Sequence, residues 1–490
     1  MRTTQLLRRT VGATVLSATL LAALAGAQPA GAGANQQPVD HPPAVTSVGS
    51  TTATVLTGAT RAAMNAKAEK LVAPKVATGQ KAIDELGLDL QEHASEAKLS
   101  EKQLEDVLLK DPSVQVSKQS TLQVADPLGG TGATITTGST NTLIWPVAST
   151  LALHSRPSSP LKIYLDFNGH TTTGTVWNSQ YGVPTINQGV WGRDTNSAEF
   201  SATEAATIQQ AFASVTEDFA PFNVDVTTQD PGVEGLRRTS SADTSYGIRV
   251  VVGRNWMGVA NSGYAQIGSF DWNSDTPAYC FADAGTPTKQ IVECISHEVG
   301  HTVGLYHDGT TAGVTYYGGH GNWAPIMGNS YSKSVTQWSS GQYAGANQLQ
   351  NDLSVIGTYL GWVGDDYVGT TATTATLPAG TTRSGSIAYG TGEYDAFKFS
   401  LTGNRTINLQ SWEWVQATDN NLNMRIQITN SAGQVIVTSN PAGTTRTNFN
   451  WTLPAGTYYV FLDGVGENTV NTGYSNYDSM GFYNILLQFV

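Results

Sequence analysis

Apolar positions along the chain follow two periods, and the change between them divides it. Leu104, Val107 and Leu108 recur at helical spacing behind Ser100-Glu101-Lys102-Gln103, which has the form of a capping box, so a helix is expected there. Ile163, Leu165 and Phe167 alternate with Tyr164 and Asp166, as in a half-buried strand. Ser201-Ala202-Thr203-Glu204 is a second capping box. Ile208, Phe212, Val215 and Phe219 follow on one helical face, and Pro221 ends the run. Val224 and Val226 alternate with Asp225 and Thr227, residues 248–252 form a β-branched run suited to a buried strand, and an edge strand is expected over 264–270. A helix is expected over 290–303, and Leu349, Leu353, Ile356 and Leu360 form the stripe of a last helix.

After residue 366 the helical period vanishes. Alternating runs at 394–401, 424–428, 458–462 and 483–487 are separated by turn residues such as Ala432-Gly433 and Pro454-Ala455-Gly456, as in a β-sandwich. Thr-Leu-Pro-Ala-Gly-Thr occurs at 376–381 and again at 452–457, where it marks turns into strands. The fold class expected is α+β, with a mixed-sheet region at 142–365 followed by an all-β sandwich at 366–490.

At 490 residues the chain is too long for one ordinary core. Its net charge of −12 disfavours a nucleic-acid partner, because phosphate binding needs a basic surface. Arg2, Arg8 and Arg9, the apolar run 11–24 and the small residues Ala25 and Ala27 read as a signal peptide over 1–27, since the run is too short to span a bilayer. No later segment is long and apolar enough to do so, and a secreted, extracellular monomer is expected. Residues 28–141, helical and charged and then Gly/Thr-rich from 127, have the place of a propeptide. Cys280 and Cys294 are expected to pair in an oxidising compartment.

The candidate chemistry lies in His297-Glu298-Val299-Gly300-His301-Thr302-Val303-Gly304-Leu305-Tyr306-His307. Four residues of helix turn about 400°, so His297 and His301 share a face. Gly304 can adopt a positive φ, stop the helix and bring His307 back as a third ligand. Three protein ligands with one open position is the geometry of catalytic zinc, which lowers the pKa of water towards about 7, with Glu298 beside it as general base.

Residues 297–308 resemble the extended zinc signature of the metzincin peptidases, and Asp308 after the third histidine resembles their adamalysin-type branch. Ala324-Pro325-Ile326-Met327-Gly328-Asn329 resembles the family's methionine turn. The resemblance implies a twisted mixed sheet with an active-site helix, Met327 as the floor of the site, Asp308 as a buttress, and an extended peptide substrate pairing with the edge strand. It also has departures. Asn329 stands where some relatives carry a tyrosine ligand, and Tyr331 is too far along. No cysteine precedes Cys280, so latency would need a carboxylate or steric blockage. His41, His93, His154, His170 and His320 are read as non-ligands, with His320 near enough in sequence to line the cleft.

The last quarter resembles the pre-peptidase C-terminal domains of secreted bacterial peptidases, on Tyr394-Asp395-Ala396-Phe397-Lys398-Phe399 and Pro454-Ala455-Gly456-Thr457-Tyr458-Tyr459-Val460. Trp412, Trp414, Tyr474 and Tyr477 are its candidates for polymer or glycan contact, and Asp419-Asn420-Asn421 for Ca²⁺. The expected activity is hydrolysis of peptide bonds in extracellular protein. The alternatives are a binding or adhesion protein with an idle zinc domain, and a zinc amidase acting on cell-wall material.

Overall fold

The computed structural model describes residues 71, 75–127, 142–194, 199–257, 261–388, 392–414 and 420–490. The expected signal peptide, the stretch 28–70 with His41, most of the Gly/Thr-rich linker and Asp419 lie outside the described residues.

The N-terminal segment folds as α1 (Gln80–Leu86), α2 (Leu90–Glu96) and α3 (Glu101–Lys110), then β1 (Val114–Val116) and β2 (Leu122–Pro127). Ser100 caps α3 by accepting from Gln103 N while the Gln103 side chain reaches back, and Leu104 and Leu108 are fully buried. The helical reading of this segment is therefore incomplete. Val-Gln-Val and the run after Thr121 are too short to announce themselves, and they become strands because a sheet further along the chain offers them an edge.

That sheet is built from β3 (Lys162–Asp166), β6 (Asp225–Thr227), β7 (Gly247–Gly253), β8 (Asn261–Gln266) and β9 (Ala278–Phe281), with β4 (His170–Thr172) and β5 (Ile186–Gln188) forming a separate hairpin around α4 (Val176–Tyr181). The order is β1-β2-β8-β9-β7-β3-β6. Strands β9, β7, β3 and β6 run parallel; β1, β2 and β8 join antiparallel. Strand β3 is buried on both faces, Tyr164 and Asp166 included, rather than on one. Parallel strands under covering helices require this, and Asp166 is accommodated because Arg249 on β7 reaches it at 2.7 Å.

Two helices cover the sheet core, α5 (Ala202–Asp218) and α6 (Thr288–Thr302). The Ser201 capping box starts α5, and Ile208, Phe212, Val215 and Phe219 are buried as its pattern required. Cys280 on β9 is bonded to Cys294 on α6, with Cα atoms 5.8 Å apart. Strands β10 (Trp323–Pro325) and β11 (Val335–Gln337) and helix α7 (Asp352–Leu360) complete this part. Leu353, Ile356 and Leu360 are buried, but Leu349 precedes α7 and is 64% exposed, because Asn351 caps the helix by accepting from Ser354 N.

Among the described residues the chain from 382 onward is all β: β12 (Thr382–Ile387), β13 (Tyr394–Leu401), β14 (Arg405–Glu413), β15 (Met424–Asn430), β16 (Val435–Ser439), β17 (Thr447–Leu453), β18 (Gly456–Gly464) and β19 (Gly481–Phe489). They form two four-stranded sheets, β12-β19-β14-β17 and β13-β18-β15-β16, the expected sandwich. Its core is continuous with that of the middle region. Phe482 N donates to Glu217 Oε2, Asn421 Nδ2 to Asp218 Oδ1, and Trp338 N to Asp478 Oδ2.

This joint corrects the expectation of free aromatics. Trp414 packs 6.0 Å from Trp145, Tyr474 is buried with Trp323 and Tyr343, and the Tyr477 hydroxyl donates to Asn351. Of the four, Trp412 alone is not used in this way. His320 also belongs to the joint rather than the cleft, with Nε2 2.7 Å from Gly473 O. Among the described residues no helix is long and apolar enough to cross a membrane.

Candidate active site

Helix α6 turns Ile291, Val292, Ile295 and Val299 into the core, all fully buried. Burying each such side chain stabilises by about 1.5–3 kcal/mol, which anchors the helix and fixes where its other face points. His297 and His301 lie one turn apart on that face, with ring centroids 4.8 Å apart. The helix ends as its sequence predicts. Gly304 has φ +91°, its N–H donates to His301 O, and Leu305 N donates to Gly300 O at 3.0 Å. The reversal delivers His307, whose Nε2 stands 3.1 Å from that of His301.

The far nitrogens of the three rings are all committed. His297 Nδ1 is 2.8 Å from Ile326 O, His301 Nδ1 is 2.8 Å from Leu305 O, and His307 Nδ1 is 2.5 Å from Asp111 Oδ2. Carbonyl and carboxylate oxygens only accept, so each Nδ1 carries a proton and donates. In a neutral imidazole the other nitrogen then holds a lone pair. Three Nε2 lone pairs therefore converge in a buried space, an arrangement that repels itself until a cation or protons occupy it. Nδ1 donation to a fixed oxygen is also how metal-bound histidines are oriented. The donor set suits a borderline-soft divalent ion such as zinc.

Asp126, at the end of β2, is the residue the sequence reading missed. Its Oδ2 is 3.1 Å from His297 Nε2 and 3.8 Å from His301 Nε2, and its Oδ1 is 3.0 Å from His307 Nε2. The ligand atoms of Asp126, His297, His301 and His307 all lie within 4.8 Å of one another. Burial works to raise the Asp126 pKa, but His307 and His297 outweigh it and hold the carboxyl well below the usual range. Burial likewise opposes charge on His307, and Asp111 and Asp126 overcome it, raising that ring to about 10. His301, deep in the same site, is lowered to about 4, chiefly by burial.

Glu298 follows His297 and is buried against β8. A Cβ at Gly263 would lie 1.5 Å from Glu298 Oε1, so only glycine leaves room for this carboxyl. Gly263 is also the residue opposite Asp126 across the β2/β8 ladder. Burial first, and then the Asp126 charge, push Glu298 well above the usual carboxylate range, so the proton between these two carboxyls sits on Glu298. A glycine inside a strand pattern marks a close approach, which is the one signal in the sequence that pointed to position 263.

The floor of the site is the turn at Met327, where Gly328 N donates to Pro325 O at 3.0 Å. Met327 is fully buried, and a Cβ at Gly300 would stand 2.5 Å from its sulfur, so the thioether fits under the helix where Gly300 leaves a gap. Asp308 N donates to Met327 O at 2.8 Å, tying the third histidine's neighbour to that turn. Its carboxyl is pushed up to about 7 by burial, against the pull of His307.

Tyr316 closes the site from above. Its hydroxyl donates to Asp126 Oδ1 at 2.9 Å, and its ring lies 4.3 Å from that of His307. Asn329 does not reach the histidines; its N–H donates to Tyr317 O. Beside His307 a cavity of about 510 Å³ is walled by Lys110 and Asp111 on one side and by Thr310, Thr311 and Val314 on the other.

Strand β8 (Asn261–Gln266) overlaps only the start of the expected edge strand at 264–270, and it is not an edge here. Residues 269–271 are a 3₁₀ turn, and β2 covers the free side of β8 antiparallel, with Ile267 N donating to Leu122 O and Gln123 Nε2 to Tyr264 hydroxyl.

A second carboxylate group, Asp365, Asp366, Glu393 and Asp395, gathers its ligand oxygens within 4.8 Å. Asp395 is fully buried, with Oδ2 accepting from Tyr483 and Oδ1 without a hydrogen-bond partner. Of the residues considered for Ca²⁺, Asn421 donates its amide to Asp218 Oδ1, and its main-chain oxygen accepts from Gln337.

No family model matches the chain, and no curated protein matches it. Among solved structures it is similar to the pre-peptidase C-terminal domain of collagenase from Bacillus anthracis, at 15% identity over 23% of this chain and 93% of that one, with a TM-score of 0.18. It is also similar to Aeromonas hydrophila PliG, a periplasmic lysozyme inhibitor of g-type lysozyme, at 11% identity over 24% of this chain and 96% of that one, with a TM-score of 0.17.

Proposed function

We propose that this chain is the precursor of a secreted zinc endopeptidase of the metzincin type, and that this conformation is its latent form. The reading rests above all on the three Nε2 lone pairs that converge on one point, with Glu298 beside it. His297, His301 and His307 would hold the ion, which when bound supplies a Lewis acid and a low pKa for water. Gly304 shapes the reversal, Met327 floors the histidines and Asp308 anchors the turn beneath them.

Glu298 is the general base. It takes the proton of the attacking water and returns it to the leaving amine. An extended substrate adds to β8 in the place and direction that β2 now holds, so recognition is largely main-chain.

Residues 75–127 act as the propeptide. Their strand fills the substrate groove, and Asp126 puts a carboxylate on the metal position, the kind of latch that the lack of an earlier cysteine calls for. For Ca²⁺, an all-oxygen ion, the favoured position is Asp365, Asp366, Glu393 and Asp395 rather than residues 419–421.

The test is a zymogram of purified, processed protein on casein, gelatin and peptidoglycan, with and without a chelator, beside elemental analysis. Chelator-sensitive clearing of the protein substrates with one zinc per chain supports the reading. Clearing of peptidoglycan alone would make it an amidase, and no clearing at all would leave a binding protein.

A further inference from the structure

The Asp126 carboxylate does more than fill space: it presents two oxygens on one carbon, and the protein treats them differently. Oδ2 faces His297, while Oδ1 faces both His307 Nε2, at 3.0 Å, and the Tyr316 hydroxyl, at 2.9 Å. The Glu298 carboxyl lies against the same group. When water adds to a peptide carbonyl, the adduct also carries two oxygens on one carbon, one from the water and one from the carbonyl. The latch thus marks where such an adduct fits. The carboxylate arrives on a strand paired to β8 opposite Gly263, where a substrate main chain would lie.

From this we infer that Tyr316 is a catalytic residue: once β2 has left, its hydroxyl donates to the oxyanion that forms from the substrate carbonyl. This rests on the peptidase reading above. The water oxygen bonds to the carbonyl carbon as its proton passes to Glu298, and the π pair moves onto the carbonyl oxygen, which accepts from Tyr316. On collapse that pair re-forms the C=O bond, the C–N bond breaks, and Glu298 protonates the departing nitrogen. Tyr316 only donates a hydrogen bond in this step and keeps its proton throughout.

Two features keep Tyr316 in place without the latch. Its ring packs on His307 at 4.3 Å, and the next residue is pinned on both sides, with Tyr317 N donating to Asp308 O at 2.7 Å and Asn329 N to Tyr317 O at 2.9 Å. It comes from the loop before the methionine turn, so a search after Met327 does not find it. Tyr331, the tyrosine that follows the turn, feels the charges of Asp126 and Glu298, and is the rival for the role.

The experiment uses the processed protein, cut between residues 128 and 141 and separated from its leader, as the parent and with Tyr316→Phe or Tyr331→Phe added. Three quantities are read on a fluorogenic peptide series: kcat, KM, and the affinity of a phosphinic peptide, whose tetrahedral anion stands in for the adduct. Zinc content and melting temperature serve as controls. Tyr316→Phe is expected to lower kcat about 100-fold, as loss of one oxyanion donor does, with KM within twofold. Phosphinic-peptide affinity should fall by a similar factor and product-peptide affinity should stay unchanged. Equal phosphinic affinity with and without the hydroxyl, or a loss confined to KM, would overturn the assignment, as would a loss that follows Tyr331→Phe instead. If the processed parent cleaves no peptide, the peptidase reading fails and the assignment of Tyr316 falls with it; if that parent cleaves and Tyr316→Phe matches it, the assignment alone fails.

Discussion

Asp126 meets His307 at 3.0 Å, Oδ1 to Nε2, although β2 and the chain reversal after α6 are far apart in sequence. A side chain of the N-terminal segment thus sits on the position proposed for the metal. Asp126→Ala is expected to raise peptide cleavage by the unprocessed chain at least tenfold, and Asp126→Asn to do so less, because the amide still fills the space. Cleavage assays on full-length material, checked for intact length by mass spectrometry, read this directly. Equal activity in all three would place latency elsewhere.

Glu298→Gln should keep the metal and lose turnover by about 10²–10⁴-fold, the range for a positioned acid–base group. The amide keeps the shape beside Gly263 but cannot take a proton. One zinc per chain together with full activity would remove Glu298 from its role.

Gly300 and Met327 form a size-matched pair. Alanine at position 300 improves helix propensity by about 1 kcal/mol, but its methyl would stand 2.5 Å from the Met327 sulfur and 3.2 Å from Trp338. Overpacking of this kind costs about 1–3 kcal/mol, so Gly300→Ala should be destabilising by about 1 kcal/mol net. Adding Met327→Ala should recover part of the loss caused by the methyl. Urea unfolding of the two single variants and the double one forms the cycle, and strict additivity would show that the contact is not felt.

His154 supplies a pH dependence away from the metal position. Burial works to lower its pKa, but Asp225 at 2.8 Å, helped by Gln229, outweighs burial and raises the ring above its usual 6.5. Since the folded pKa is the higher one, this stabilisation is complete below about pH 6.5 and is lost as pH rises through the folded value. His154→Gln should therefore cost about 1 kcal/mol at pH 5.5, discounted for partial solvent exposure, and less at pH 9. A pH-independent difference in urea midpoints would contradict the pairing.

Calcium at millimolar concentration should raise the melting temperature of the chain through Asp365, Asp366, Glu393 and Asp395, because any ion bound by the native state alone stabilises it. Asp395→Asn should abolish the shift. An Asp395→Asn protein that still responds, or a parent that does not, would empty the site of that role.

What the sequence revealed and what it hid divide by the range of the contacts. Residues 297–307 declare their chemistry locally, since a helix and one glycine suffice to bring three imidazoles together. The sandwich strands likewise follow from period two, and α5 from its cap and apolar face. Asp111, Asp126 and Tyr316 have no such local mark. Each is an ordinary polar residue at a strand end or in a loop, and each meets the histidines only through tertiary pairing. The outward aromatics expected at 414, 474 and 477 went wrong for the same reason, because the surface that covers them belongs to the middle region.

Strands β1 and β2 are held by more than the chain that follows them. Their ladder with β8 and the apolar cluster that closes on Ile267 and Tyr306 are both independent of residues 128–141. A cut in that stretch therefore severs a tether without emptying the groove. On the proposed propeptide reading, maturation is two events, scission and then departure, and the second follows the law of any dissociating complex: it is hastened by dilution or by destruction of the freed leader, and reversed while the leader stays nearby.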